Sequence, residues 1–172
     1  GVAGAVPLNR LPYGEAMARY GSVQPDTRFG MELVDCSDLV GTMSFKVFSD
    51  AVEAGGSVRA INASQCAGSY SRKEIDALGE VAKTYKAKGL AWIVLEAEGF
   101  RSSFSKFVTD EALEAFKSRL GAVPGDLLLF VADKDEVVFD ALGHLRLAIA
   151  EKMGLLKPNT WDLLWVTEFP LL

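Results

Sequence analysis

VVFDALGHLRLAIAEKMGLL (Val137–Leu156) is the longest uninterrupted periodic stretch of the chain, and the fold is read outward from it. Val138, Leu142, Leu145, Ile149 and Met153 recur at steps of three or four, which places them on one face of a helix. Asp140, His144, Glu151 and Lys152 lie largely off that stripe. Gly154 is placed to end the helix, and Pro158 opposes its resumption. A helix of roughly 20 residues is about 30 Å long, enough to cross a small domain. Leu163–Phe169, just beyond, reads as a strand.

Upstream, Asp126–Ala132 (DLLLFVA) reads as a buried strand, with Asp133–Asp135 as its exit turn into the long helix. Thr109 or Asp110 caps a helix over Glu111–Leu120, and Phe104–Val108 is expected as a short strand. Ser71–Lys88 is a second amphipathic helix, with Ser71 and Glu74 spaced as a capping box and Gly89 as its stop. Leu90–Leu95 (LAWIVL) follows as a buried strand. Ser57–Ala63 alternates Val58, Ala60 and Asn62 against Arg59, Ile61 and Ala63, a strand partly buried on both faces. Gly41–Gly56 fits a strand or a short helix. Ser37–Val40 reads as one helical turn and Met31–Val34 as extended. Ser22–Gly30 carries turn chemistry around Pro25 and Asp26, Tyr13–Tyr20 is a short helix, and Gly1–Pro12 reads as a linker or the broken end of something longer. From residue 57 strands alternate with helices. That order fits parallel pairing and equally an α+β sandwich.

At 172 residues, with 49% hydrophobic and 24% charged residues, the chain has ordinary globular composition. No apolar run reaches the ~20 residues of a membrane span. The opening GVAGAVPL lacks the basic and apolar regions of a signal peptide. The net charge of -5 argues against a dedicated nucleic-acid binder but leaves room for a local contact.

Few residues mark chemistry. His144 is the only histidine, with Asp140 one turn earlier. The pair fits acid–base work or, more simply, a surface histidine beside an i,i+4 neighbour. Cys36 and Cys66 have neither metal-ligand spacing nor a local base, so they read as reduced structural thiols. No phosphate-binding glycine loop is present, and Glu96, Glu98 and Glu168 read as solvated strand ends. The loop Arg101–Lys106 (RSSFSK) combines cations, hydroxyls and an aromatic, which suits phosphate contact and base stacking. A plain solvated loop reads the same way. From the residues alone, no self-contained catalytic constellation stands out.

Three segments together resemble bacterial-type aspartyl-tRNA synthetases. Leu11–Asp35 (LPYGEAMARYGSVQPDTRFGMELVD) stands where that family has an aromatic residue, EA and then RYGSDKPDLRF. Lys73–Ile93 (KEIDALGEVAKTYKAKGLAWI) follows, with SKF at Ser105–Phe107. Asp126–Leu156 comes last and runs on to Trp161–Leu172 (WDLLWVTEFPLL). The resemblance covers the family's insertion, called the GAD domain, with short flanks of the catalytic domain. GAD domains also occur in the B and E subunits of tRNA-dependent amidotransferases, which is the alternative reading. The flanks favour the synthetase.

The resemblance implies an α+β two-layer sandwich, a mainly antiparallel sheet with helices packed on one face. It divides the chain into a catalytic flank and linker at 1–40, the GAD insertion at 41–156 and a returning catalytic strand at 157–172. It implies a homodimeric, cytoplasmic parent that attaches aspartate to tRNA-Asp through an aspartyl-adenylate, using ATP and magnesium. The arginine-bearing motif 2 and glycine-rich motif 3 of class II synthetases are absent. The chain alone is therefore expected to be a non-catalytic accessory module with no cofactor or metal of its own. It is expected to pack beside the catalytic core near the tRNA acceptor end, with Arg101, Ser103 and Lys106 as tRNA contacts. Val23 and Gln24 replace the family's charged pair.

Overall fold

The strand β6 (Leu127–Asp133) is apolar in both phases, so both of its faces need cover, and it lies at the centre of a five-stranded sheet. The computed structural model describes residues 10–21, 30–155 and 165–167. On one side of β6 runs β3 (Ser57–Ala63), and beyond it the two-residue β2 (Val34–Asp35). On the other side lie β4 (Ala91–Leu95) and, at the far edge, β5 (Phe100–Ser102). Every neighbouring pair in this sheet is antiparallel, with Ala60 opposite Phe130 and Ala91 opposite Phe130 from the other side.

This topology accounts for the parallel option that the element order left open. β3 and β4 both run antiparallel to β6, so they are parallel to each other with β6 between them. The helix α3 (Arg72–Thr84) makes that crossover. β5 and β6 are likewise parallel with β4 between them, and α4 (Asp110–Leu120) connects them. The fold is two interlocked split β-α-β units.

Strand alternation then divides the core in two. Ile61, Trp92, Val94, Leu127, Leu129 and Val131 meet α3 and α5 (Asp135–Lys152) on one face. Val58, Ala60, Ile93, Leu95, Leu128 and Phe130 meet α4 and α2 (Lys46–Glu53) on the other. The α+β antiparallel architecture is as expected. The helices, however, cover both faces, where the expectation put them on one. The second layer includes an aromatic cluster in which the Phe45 ring stacks on Phe104 at 4.8 Å.

The local signals mostly hold. The stripe Val138, Leu142, Leu145 and Ile149 is fully buried against the sheet. The Ser71–Glu74 capping box forms with both hydrogen bonds, and Thr109 Oγ1 accepts from Ala112 N at 3.0 Å. Three readings change. The second helix ends at Thr84, not at Lys88, because Lys86 takes a left-handed turn (φ 77°). Lys86 N–H then closes on Lys83 O, and Ala87 N–H on Ala82 O. The expected strand at Phe104–Val108 is a 3-10 turn over Ser105–Phe107, and the strand lies just before it as β5. Gly41–Gly56 resolves as the helix α2, which drives Phe48 into the second core.

The flanks are ordered around each other. β1 (Arg10–Pro12) pairs in parallel with β7 (Trp165–Thr167) in a separate two-stranded ladder. α1 (Tyr13–Tyr20) follows β1 directly and packs on α5. Most of the turn at 22–30 and part of the strand expected at Leu163–Phe169 lie outside the described residues, as does Glu168. No described helix is long and apolar enough to cross a membrane.

Candidate nucleic-acid interface

Arg101, Ser103 and Lys106 lie along the outer edge of the sheet, Arg101 on β5 and the other two on the turn that leaves it. The hairpin from β4 to β5 brings Leu95 opposite Phe100 and Ile93 opposite Ser102, which leaves the other rim of β5 facing outward. Arg101 and Lys106 are exposed. The Arg101 guanidinium is shared with Glu96, Nε to Oε2 3.3 Å. Lys106 Nζ lies 5.2 Å from the centre of the Phe107 ring. Ser103 is more occupied. Its amide donates to Trp92 O at 3.1 Å, and its hydroxyl oxygen accepts from Trp92 N at 3.0 Å. It closes the ladder beyond β5, although its own O–H remains able to donate.

The hairpin that carries this rim also holds two exposed carboxylates, Glu96, which pairs with Arg101, and Glu98. Such an edge can contact one or two phosphates and little more. A groove of about 650 Å³ opens nearby between α2 and the start of β4, floored by Phe48, Phe104 and Phe130. Its rim carries Lys88 and Lys134 but also Asp50 and Asp133, so it has no preferred sign of charge.

The other candidate groups are structural. His144 Nδ1 donates to the Asp140 carbonyl oxygen at 2.8 Å, with Asp140 Oδ1 3.4 Å away. Its ring stacks flat on Tyr85 at 3.6 Å. The imidazole stacks between α5 and the end of α3 and does not line the groove. Cys36 is fully buried, and desolvation pushes its thiol up to about 12, against a smaller opposing pull from Arg119. Burial also raises Cys66, and Asp126 adds to the effect. Neither thiol is activated. Among the described residues, no three of His, Cys, Asp and Glu converge to hold a metal ion.

Two buried polar residues were missed by the sequence reading. Asp126, 1% exposed, accepts four hydrogen bonds. Gln65 N and Nε2 reach Oδ1, each at 2.9 Å, while Asn62 Nδ2 and Val123 N reach Oδ2 at 3.1 and 3.0 Å. Burial pushes the carboxyl up, but the amides of Val123 and Gln65, helped by the two side chains, outweigh it and hold it below its ordinary value. Arg146, also 1% exposed, projects from α5 towards the flank. Its Nε donates to Met31 O at 2.7 Å and to Gly30 O at 3.2 Å, Nη2 donates to Gly30 O, and the guanidinium lies 4.7 Å over the Tyr20 ring. The only sequence signal for either is position: Asp126 opens an apolar strand, and Arg146 interrupts an apolar helix.

A family model described as GAD domain matches residues 48–142. The chain is 59% identical over 172 residues to an aspartate–tRNA ligase of Ruminiclostridium cellulolyticum, covering 99% of this chain and 29% of that protein. It is 57% identical over 173 residues to an aspartate–tRNA(Asp/Asn) ligase of Symbiobacterium thermophilum, covering 100% and 29%. Against an aspartate–tRNA ligase of Clostridium botulinum the identity is 49% over 172 residues, again covering 100% and 29%. The chain thus spans less than a third of the length of these curated relatives.

Proposed function

The chain belongs to the GAD domain family, and from that premise we propose that it is the insertion module, with catalytic-domain flanks, of an aspartate–tRNA ligase. One observation carries the reading. Similarity to the ligases runs through the segments outside the GAD match, and those segments meet as the parallel ladder of β1 and β7. A body whose two ends return to adjacent strands of another sheet is built as an insertion. In this reading residues 1–40 and 157–172 belong to the ligase core and 41–156 to the inserted body.

The longer protein is a homodimeric cytoplasmic enzyme. It forms an aspartyl-adenylate from ATP with magnesium and transfers aspartate to tRNA-Asp. ATP and magnesium act on the core. The described residues of this chain offer no cluster of three metal-ligating side chains, so no step through either is assigned to it. The chain supplies an accessory contact to the tRNA through the rim that bears Arg101, Ser103 and Lys106.

Binding of tRNA-Asp to the chain across a salt series, with an unrelated tRNA as control, tests this contact. Each neutralised phosphate contributes about -0.7 to -0.9 to the log–log salt slope, so two contacts predict a slope of about -1.4 to -1.8. Arg101→Ala is expected to flatten it by about 1. Equal binding of both tRNAs, or none at low salt, would overturn the contact. Aspartylation assayed with the longer polypeptide tests the ligase reading itself.

A further inference from the structure

We infer that Gly143 and Arg146 make α5 a positioning element for the flank, holding Gly21 at one residue and Gly30–Met31 at the other within one helical turn. Gly21, which ends α1 with φ +68°, lies so close to α5 that a Cβ on it would sit 2.2 Å from Phe139 O. A Cβ on Gly143 would in turn lie 2.6 Å from Gly21 O. Two backbones meet there with no side chain between them. Three residues further along α5, about 4.5 Å of helix rise, Arg146 takes the carbonyls of Gly30 and Met31.

The choice of groups makes this more than core packing. An apolar side chain at 146 would bury the flank without fixing its direction. A guanidinium has donors in a fixed plane, so it selects the orientation of the carbonyls it binds. Gly30 and Met31 are both left-handed, at φ 66° and 53°. A non-glycine residue such as Met31 holds that conformation only where its surroundings over-determine it. The return path is tied further. Leu33 N–H donates to Arg19 O, and Arg19 Nε and Tyr20 O–H donate to Glu32 Oε1 at 2.9 and 3.2 Å. Residues 19–21 and 30–33 are therefore tied to each other and to α5. On the reading under Proposed function, 19–21 and 30–33 belong to the ligase core, so the inserted body acts on the core through this helix.

Amide hydrogen exchange on the 172-residue chain tests the clasp. In Arg146→Gln, residues 19–21 and 30–33 are expected to exchange about tenfold faster or more, while β3 and β6 keep their rates. Arg146→Lys, which keeps the charge but not the planar fork, should restore protection part of the way. No change at 19–21 and 30–33 would overturn the clasp. An equal acceleration through β3 and β6 in both variants would reduce Arg146 to a residue of the general core. In the longer polypeptide, Arg146→Lys is expected to lower kcat/KM for aspartylation at least tenfold with β3 and β6 still protected. Unchanged aspartylation with freed ends would overturn the positioning role. A wild-type polypeptide without aspartylation would instead refute the proposed function, and the exchange result would still decide the clasp.

Discussion

Replacing Asp126 by asparagine keeps the size of the side chain and removes one of its two acceptors. The structure indicates how that loss must fall. Each carboxylate oxygen accepts from one backbone amide and one side-chain amide: Gln65 N and Nε2 at one, Val123 N and Asn62 Nδ2 at the other. Side-chain amides can turn over to offer an oxygen, but backbone amides cannot. Whichever way the new asparagine points, one backbone N–H faces an NH2 group. Leaving a buried donor unpaired costs about 1–3 kcal/mol, and the surviving bonds fall from charge-assisted to neutral strength, about 1 kcal/mol each. Asn62 has little freedom to compensate, because its Nδ2 also donates to Leu120 O at 3.2 Å. The expected loss is therefore about 3 kcal/mol, a large part of the ~5–15 kcal/mol that stabilises most domains.

The assay is urea unfolding of wild type and Asp126→Asn at neutral pH and near pH 3, with the m-value checked for constancy. The sign of the pH effect follows from the direction of the shift. The folded carboxyl lies below its ordinary value, so the unfolded chain takes up the proton first. The stabilisation is fully present above the unfolded value, about 3.9, and is lost as pH falls through the folded one. The gap between the two proteins should narrow in acid. A gap under about 1 kcal/mol at neutral pH, judged against the hydrogen-bond magnitudes used here, would refute the reasoning. So would a gap of equal size at both pH values.

Two further expectations follow from the fold. Cys36 and Cys66 should resist alkylation in the native chain at pH 8 and react together on unfolding, since burial raises both thiols; mass spectrometry after a timed iodoacetamide pulse reads this. Ser71→Ala should cost about 1 kcal/mol in thermal or urea unfolding by leaving the Glu74 amide uncapped.

The elements that could be read from the sequence are those whose partners are apolar side chains on regular faces. The stripe on α5, the two phases of β3 and the run Leu127–Val131 all fall where periodicity puts them. That run also held the clue to the second helical layer, because a strand apolar in both phases has no face left for solvent. The resemblance implies a single helical layer, and the structure has one on each face. Arg146 and Asp126 were invisible for a different reason. Arg146 binds carbonyls 115 and 116 residues away, and Asp126 binds Gln65 and Asn62 61 and 64 residues away. Backbone carbonyls leave no mark in sequence, and distant amides leave no periodicity. The rim at Arg101–Lys106 was legible as a loop with cations, but its pairing with Glu96 required the β4–β5 hairpin to be known.

The sheet order gives the inserted body a direction. Residues 30–35 return from the flank along β2, at one edge, while Arg101 sits on β5 at the other. Four strand spacings separate them, about 19 Å. α1 and the carbonyls held by Arg146 gather on the α5 face, and the α2 and α4 face carries the open groove. Attachment and the cationic rim are thus at opposite edges, with a fully paired antiparallel sheet as the rigid span between them. A nucleic acid that reaches Arg101 meets the body about 19 Å from its anchor. A shift of the clasp at α5 would then be carried to the rim as a rigid rotation, because β6, buried on both faces, leaves the sheet no soft plane along which to bend. On the proposed contact, freeing 30–33 in the longer polypeptide is expected to weaken the salt-dependent binding read at Arg101.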